Sequence, residues 1–331
     1  MPIGPASSER HVDQALTDIS IAHQQSQADS LLYNVVPVIP VQRASDKYTV
    51  FPPATWNKRQ ARVRAPGDDY QAGGYTVSKT AYSCDLYSVA HKDPKESQFN
   101  ADPVHDPEVE NTQWVTGQLL MEADALIAAA IFTTGVWTTD LTGVTSGAVV
   151  GTSVLQWDQG GSDPITDAVI IKGLIKKQSQ FDPNQGGIVG VIGYSAWTRL
   201  INHAAIIDRT KHVSRESVTT EMVASLFQID KIVVPGLVSN TANPGQTATF
   251  DYIVDDLSAG FYFVPKSPGK RTLSAAYVFG VSGVDGFQDG TKIATGYHQP
   301  NNSDYVYGDL YIDIAVTAAG AGAFISGVVA S

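Results

Sequence analysis

The stretch ADPVHDPEVENTQWVTGQLLMEADALIAAAIF, residues 101–132, constrains this chain more than any other. Asp106 suits a helix N-cap and Pro107 the first helical position, while Glu108 and Glu110 complement the positive end of the helix dipole. Val115, Leu119, Ala123, Leu126, Ile127, Ala130 and Ile131 then recur at helical spacing. The pattern predicts one unbroken helix over 107–132, roughly 39 Å long at about 1.5 Å per residue. Ordinary helices average about three turns. A helix of this length is a beam on which other elements must be laid.

Upstream, DKYTVF (46–51) and YTVSKTAYSCDLYSVAHK (75–92) alternate apolar with polar residues and read as strands. Between them lie Pro52, Pro53 and the polar, turn-rich NKRQARVRAPGDDYQAGG. The pair predicts a long hairpin, and a connection of this length in a compact domain usually has a functional reason. Lys58, Arg59, Arg62 and Arg64 crowd its tip, followed by Asp68 and Asp69. They form either a solvated charged loop or a projection that docks on a neighbour.

The segment LLYNVVPVIPVQRASDKYTVF (31–51) is apolar yet interrupted by Pro37 and Pro40, which fits an extended strand with only some backbone donors paired. The segment would lie along this chain's own body or an adjacent copy's, and Val35, Val36, Val38, Ile39 and Val41 are expected to pack in an assembly of copies rather than in a lone subunit. Residues 1–30 hold few large apolar side chains, so order there must come from something outside the segment.

Past the long helix, SDPITDAVIIKGLIKKQSQF repeats the helix-start device with Asp163 as cap and Pro164 first, and its apolar stripe is Ile165, Ala168, Ile171 and Ile175. GGIVGVIGY reads as a buried strand, SAWTRLINHAAI as a helix capped by Ser195, and SVTTEMVASLFQ as a shorter helix. DKIVVPG, ATFDYIVDD, GFYFVPK and RTLSAAYVFGVSG read as strands, and the tail from Asp304 as two more. Strands, a long helix, mixed elements and strands again predict an α+β fold.

Composition narrows the function classes. At 331 residues, two lobes or one lobe with large excursions is the default. Charged residues make up 17%, below the usual quarter, as expected of a surface that meets protein rather than water. The net charge of −11 arises wholly beyond residue 100, and the first thirty residues set Arg10 against Glu9, Asp13, Asp18 and Asp29. Without a basic arm, tight nucleic-acid binding lacks its main driving force. The lone Cys84 excludes an internal disulfide, and in its alternating run it reads as a half-buried strand thiol. No charged-then-apolar leader opens the chain, and the tail IAVTAAGAGAFISGVVAS is too short and Gly-interrupted to span a bilayer. A cytoplasmic protein with no membrane partner is expected.

No catalytic, cofactor or metal residue is nominated. Gly187, Gly190 and Gly193 lack dinucleotide spacing and read as close-packing positions; VDGFQDG (284–290) is a double turn without the distal Glu of a calcium loop. The seven histidines never take metal-ligand spacing. A β-rich hydrolase is carried as a remote alternative.

Read together, these stretches resemble the major capsid proteins of tailed bacteriophages, with the Hong Kong 97-like fold that encapsulins share. The resemblance runs from about residue 16 to the C-terminus. Its most specific stretch is LTDISIAHQQSQADSLLYNVVPVIPVQRASDKYTVF, where VVPVIPV matches the end of the family's arm. YTVSKTAYSCDLYSVAHKD is similar to the returning strand of the extended loop, residues 101–132 to the spine helix, and WDQGGSDPITDAVIIKGLIKKQSQ to the first helix of the axial domain.

The resemblance implies an N-terminal arm (1–44) and an extended loop (45–92). A peripheral domain with the spine helix 107–132 would cover 93–156 and 271–331, and an axial domain 157–270. It implies a non-enzymatic shell protein that self-assembles through pentamers and hexamers into the icosahedral head of a virion, built in the host cytoplasm. Portal and scaffolding or decoration proteins would be partners, and double-stranded DNA would be held weakly. Lys58, Arg59, Arg62 and Arg64 would then face acidic surface next door, with Asp106, Glu108 and Glu110 as candidates, and Asp68 and Asp69 of the same loop would join the intersubunit contact. An encapsulin-like cellular compartment is the alternative within the same fold.

Overall fold

The structure, a computed structural model, describes residues 30–98, 107–210, 218–269 and 272–330. The expected beam is a helix over Pro107–Ile131. Its cap candidate Asp106 lies outside the described residues. Val115, Leu119, Leu120, Ala123, Ile127 and Ile131 are buried, whereas Leu126 and Ala130 are half-buried at the rim. By length and composition Glu108–Ile131 could cross a bilayer. Its apolar side is used instead against protein.

That side lies across a five-stranded sheet of β1 (Val38–Val41), β4 (Asp85–Pro94), β12 (Ala276–Val281), β13 (Thr291–His298) and β14 (Ser303–Val316). The seam is β14, with β4 along one side and β13 followed by β12 along the other. Gly308 of β14 sits directly under the helix: a Cβ there would approach Val115 Cγ1 to 2.3 Å. Absence of that atom sets how closely helix and sheet can pack.

A six-stranded sheet has the order β6-β5-β15-β11-β7-β8, from β5 (Thr139–Val144), β6 (Ser153–Leu155), β7 (Gly186–Ile192), β8 (Lys231–Val233), β11 (Ala259–Pro265) and β15 (Gly322–Ser326). Strands β9 (Val238–Asn240) and β10 (Phe250–Tyr252) pair as a separate antiparallel ribbon. The long helix ends on the six-stranded sheet. Both Tyr262 Oη (2.9 Å) and Trp137 Nε1 (2.7 Å) donate to the carbonyl of Ile131, an end-of-helix acceptor with no partner in its own helix. The cuts expected at 156 and 270 run through this sheet: β5, β6 and β15 share it with β7, β8 and β11. Hydrogen-bonded partners here are far apart in sequence, so linear boundaries do not follow the sheets.

Helix Pro164–Ser179 begins as expected, with Asp163 Oδ1 accepting from the amides of Ile165 and Thr166, both at 3.2 Å. Hydrogen bonding, first from the Thr166 hydroxyl, holds the Asp163 carboxyl below the usual range. Its buried face includes Ile165, Ala168, Ile171 and Ile175. Ser195, expected as a cap, is not one. Gly193 holds that position, and the Ser195 hydroxyl donates to Asp256 Oδ2 at 2.5 Å. The segment also splits into helices Tyr194–Ile201 and Ala204–Thr210, with His203 at the break accepting the Ala205 amide on Nδ1 at 3.1 Å.

Two readings near the N-terminus change. Residues Leu31–Asn34 form a helical turn rather than extended chain. And the alternating run 75–92 is two strands in two sheets, exchanging partners at Cys84. β3 (Ser78–Ser83) pairs with β2 (Ser45–Val50), and β4 pairs with β14. The Cys84 amide bonds Ala44 O at 2.8 Å, and burial pushes its thiol up to about 11. A period of two continues unbroken through such a switch, which hides it from sequence patterning.

Candidate functional site

Residues 51–77 connect β2 to β3 and stand clear of both cores. Their root is the ring of Phe279, stacked on Tyr82 at 4.6 Å and tilted against Tyr48 at 5.4 Å. Beyond it, the turn Pro53–Trp56 sets the Trp56 indole edge-on to Phe51 (5.5 Å) and to Tyr75 (4.7 Å). Gln60 braces the stem like a strand pair, donating to Gly74 O at 2.7 Å and accepting the Gly74 amide at 2.8 Å. Trp56 and Tyr75 nevertheless remain 55% and 59% exposed. Val63 and Tyr70 are also exposed. The loop thus carries apolar surface that is held in shape yet left in water.

Lys58, Arg59, Arg62, Asp68 and Asp69 are exposed on the same loop. Arg64 also acts within the loop, where its guanidinium lies 4.1 Å over the Tyr70 ring and donates to the Asp68 carbonyl. Glu108 and Glu110 are exposed on the first turn of the long helix. Sequence reasoning singled out the charges and missed the aromatic trio. The available signal was large apolar residues embedded in an otherwise polar loop.

The arm-packing candidates divide, and for Val35 and Val36 the expectation of packing in an assembly rather than in a lone subunit is corrected. Val35 and Val36 are buried in this chain's own core, whereas Val38, Ile39 and Val41 are half-buried on β1. That strand pairs in parallel with β12, placing Pro40 opposite Gly280 at the sheet edge, where a proline's missing donor costs least.

One pair invites a catalytic reading. His203 Nε2 lies 3.0 Å from Ser162 Oγ. Because Nδ1 accepts the Ala205 amide and burial lowers its pKa, the neutral ring carries its proton on Nε2 and donates to the serine. The Ser162 hydroxyl in turn donates its own hydrogen bond to the Gln159 carbonyl at 2.8 Å. A nucleophilic serine needs the opposite polarity, so this pair is a structural clamp. Among the described residues, no three His, Cys, Asp or Glu side chains are grouped to hold a metal. In VDGFQDG, Asp285 and Asp289 adopt positive φ of 51° and 49°, and Asp285 pairs with the buried Lys292 at 2.8 Å.

A cleft of about 280 Å³ lies beside helix Pro164–Ser179, with Val150, Ser153, Asp163, Thr166, Asp167 and Leu174 among its lining residues. Burial pushes the Asp167 carboxyl up to about 6.

No protein-family model matches the chain, and no curated protein matches its sequence. Its architecture does have counterparts among solved structures. A phage-related protein of Bordetella bronchiseptica superposes with a TM-score of 0.70 at 18% identity, over 96% of this chain and 98% of that one. The mature capsid of bacteriophage PhiM1 gives 0.52 at 11% identity, over 88% and 85%. The chain has the Hong Kong 97-like capsid fold. A virus-like particle from Pyrococcus furiosus also shares the architecture, with a TM-score of 0.54 at 10% identity over 95% and 98%.

Proposed function

We propose that the chain is a major capsid protein of a tailed phage, closing through pentamers and hexamers into an icosahedral shell around double-stranded DNA. The observation that carries this reading is the hairpin. It is pre-shaped, rich in exposed apolar surface, and attached to a fold shared with a mature phage capsid over most of its length. Its cations, Lys58, Arg59 and Arg62, would meet acidic surface on a neighbour, for which Glu108 and Glu110 are candidates. Shell assembly multiplies modest contacts, since each subunit binds several others at once. The acidic balance suits a lumen that confines DNA without gripping it. Portal and scaffolding or decoration proteins would complete the head, assembled in the host cytoplasm.

Expressing the full chain and sizing it by light scattering and electron microscopy tests this reading. Closed shells of megadalton mass are expected, and a monomer under all assembly conditions would overturn it. The likeness to the Pyrococcus furiosus particle favours a second reading, an encapsulin-type compartment. Protein rather than nucleic acid inside native particles would select it.

A further inference from the structure

Asp124, on the long helix, is fully buried and faces the segment that begins at Ser30. Three donors converge on its carboxylate from a segment more than ninety positions away. They are the Ser30 hydroxyl at 2.8 Å and the amides of Leu31 and Leu32, each at 3.1 Å. Those amides open the turn Leu31–Asn34 and have no acceptor within it. Ser30 stands at the N-cap position but makes no side-chain cap. Its hydroxyl goes to Asp124 instead, and the carboxylate caps the turn from a neighbouring helix.

We propose that Asp124 is a positioning residue, a clasp that fixes the place and register of the segment Ser30–Val36 on the long helix. An apolar residue would join helix and segment without the desolvation cost of a buried carboxylate, so the carboxylate's contribution is registry. A slip of one residue would move Ser30 off Asp124 and strand both the charge and the amides. Burial raises the Asp124 pKa, and the Ser30, Leu31 and Leu32 donors oppose that rise. Downstream the segment is held by Val35 and Val36 in the core and by β1 on β12. Among the described residues, Asp124 is therefore the anchor that lies furthest upstream on this segment. This anchoring is a property of the folded subunit and does not depend on the capsid reading.

Hydrogen exchange read by mass spectrometry on the full-length, unassembled chain tests the clasp. Asp124→Ala should speed exchange of amides 31–36 at least about tenfold, the loss expected when buried donors are orphaned. Amides of β7 and β11 should keep their rates. Asp124→Asn, which retains one acceptor oxygen, should recover part of the protection, and Ser30→Ala should give a smaller local loss. Unchanged exchange at 31–36 in Asp124→Ala would overturn the proposal. So would an equal acceleration across both sheets, which would make Asp124 an ordinary core residue. If Asp124→Ala does not fold, Ser30→Ala decides: wild-type rates at Leu31 and Leu32 would sink the clasp.

Discussion

The ring of Trp56 meets that of Tyr75 edge-on, with centroids 4.7 Å apart, on a loop outside both cores. The contact gives the hairpin a shape without hiding its apolar surface. Exposed aromatic side chains of this kind contribute heavily to binding energy once a partner buries them.

Trp56→Ala is therefore expected to separate folding from assembly. The subunit's melting temperature should move little, because a half-exposed ring stabilises it weakly. Shell yield should fall by at least about tenfold, the effect of losing roughly 2 kcal/mol at a hot spot. Electron microscopy beside thermal melting of unassembled subunits checks both halves.

Charge reversal tests the second ingredient of the loop. Arg62→Glu should reduce shell yield at low salt, with a deficit that narrows as salt shortens the screening length to about 3 Å near 1 M. Arg64→Glu should also loosen the loop itself, because Arg64 stacks on Tyr70 and bonds the Asp68 carbonyl. Faster proteolysis between residues 57 and 77 in Arg64→Glu than in Arg62→Glu would show that difference.

Two glycines, one beneath the long helix and one within it, predict opposite signs. At Gly308 a Cβ would meet Val115 and Leu119, at 2.3 and 2.9 Å. Gly308→Ala should then cost about 1–3 kcal/mol through forced separation of helix and sheet. At Gly117, inside the helix, a Cβ meets nothing within 4 Å. Gly117→Ala should gain about 0.5–1 kcal/mol from helix propensity. Denaturant unfolding of the unassembled subunit measures both.

Asp167 supplies the pH dependence. Its folded pKa is raised to about 6, first by burial. The folded state thus holds this proton more tightly than the unfolded chain. Stability from that proton is full below the unfolded carboxylate value and is lost as pH rises through about 6. Asp167→Asn should raise the melting temperature near pH 7.5, and the gain should fade by about pH 4. A constant difference across that range would refute the assignment.

Where signals are local, the sequence by itself determined the outcome. The long helix from Pro107, the Asp163 cap and the stripe of Ile165, Ala168, Ile171 and Ile175 follow from spacing and capping between near neighbours, and the hairpin of β2 and β3 from alternation in two consecutive strands. The tertiary structure alone decided the partners. The exchange of sheets at Cys84, the joining of β15 to β5 and β11, and the three donors on Asp124 each join residues distant in sequence. Alternation reads the same whichever sheet a strand enters, and a carboxylate on a helix face does not announce its donors. Trp56 and Tyr75 belong to this second group as well. Their types are visible in the chain, but only the folded loop brings them together and leaves them in water.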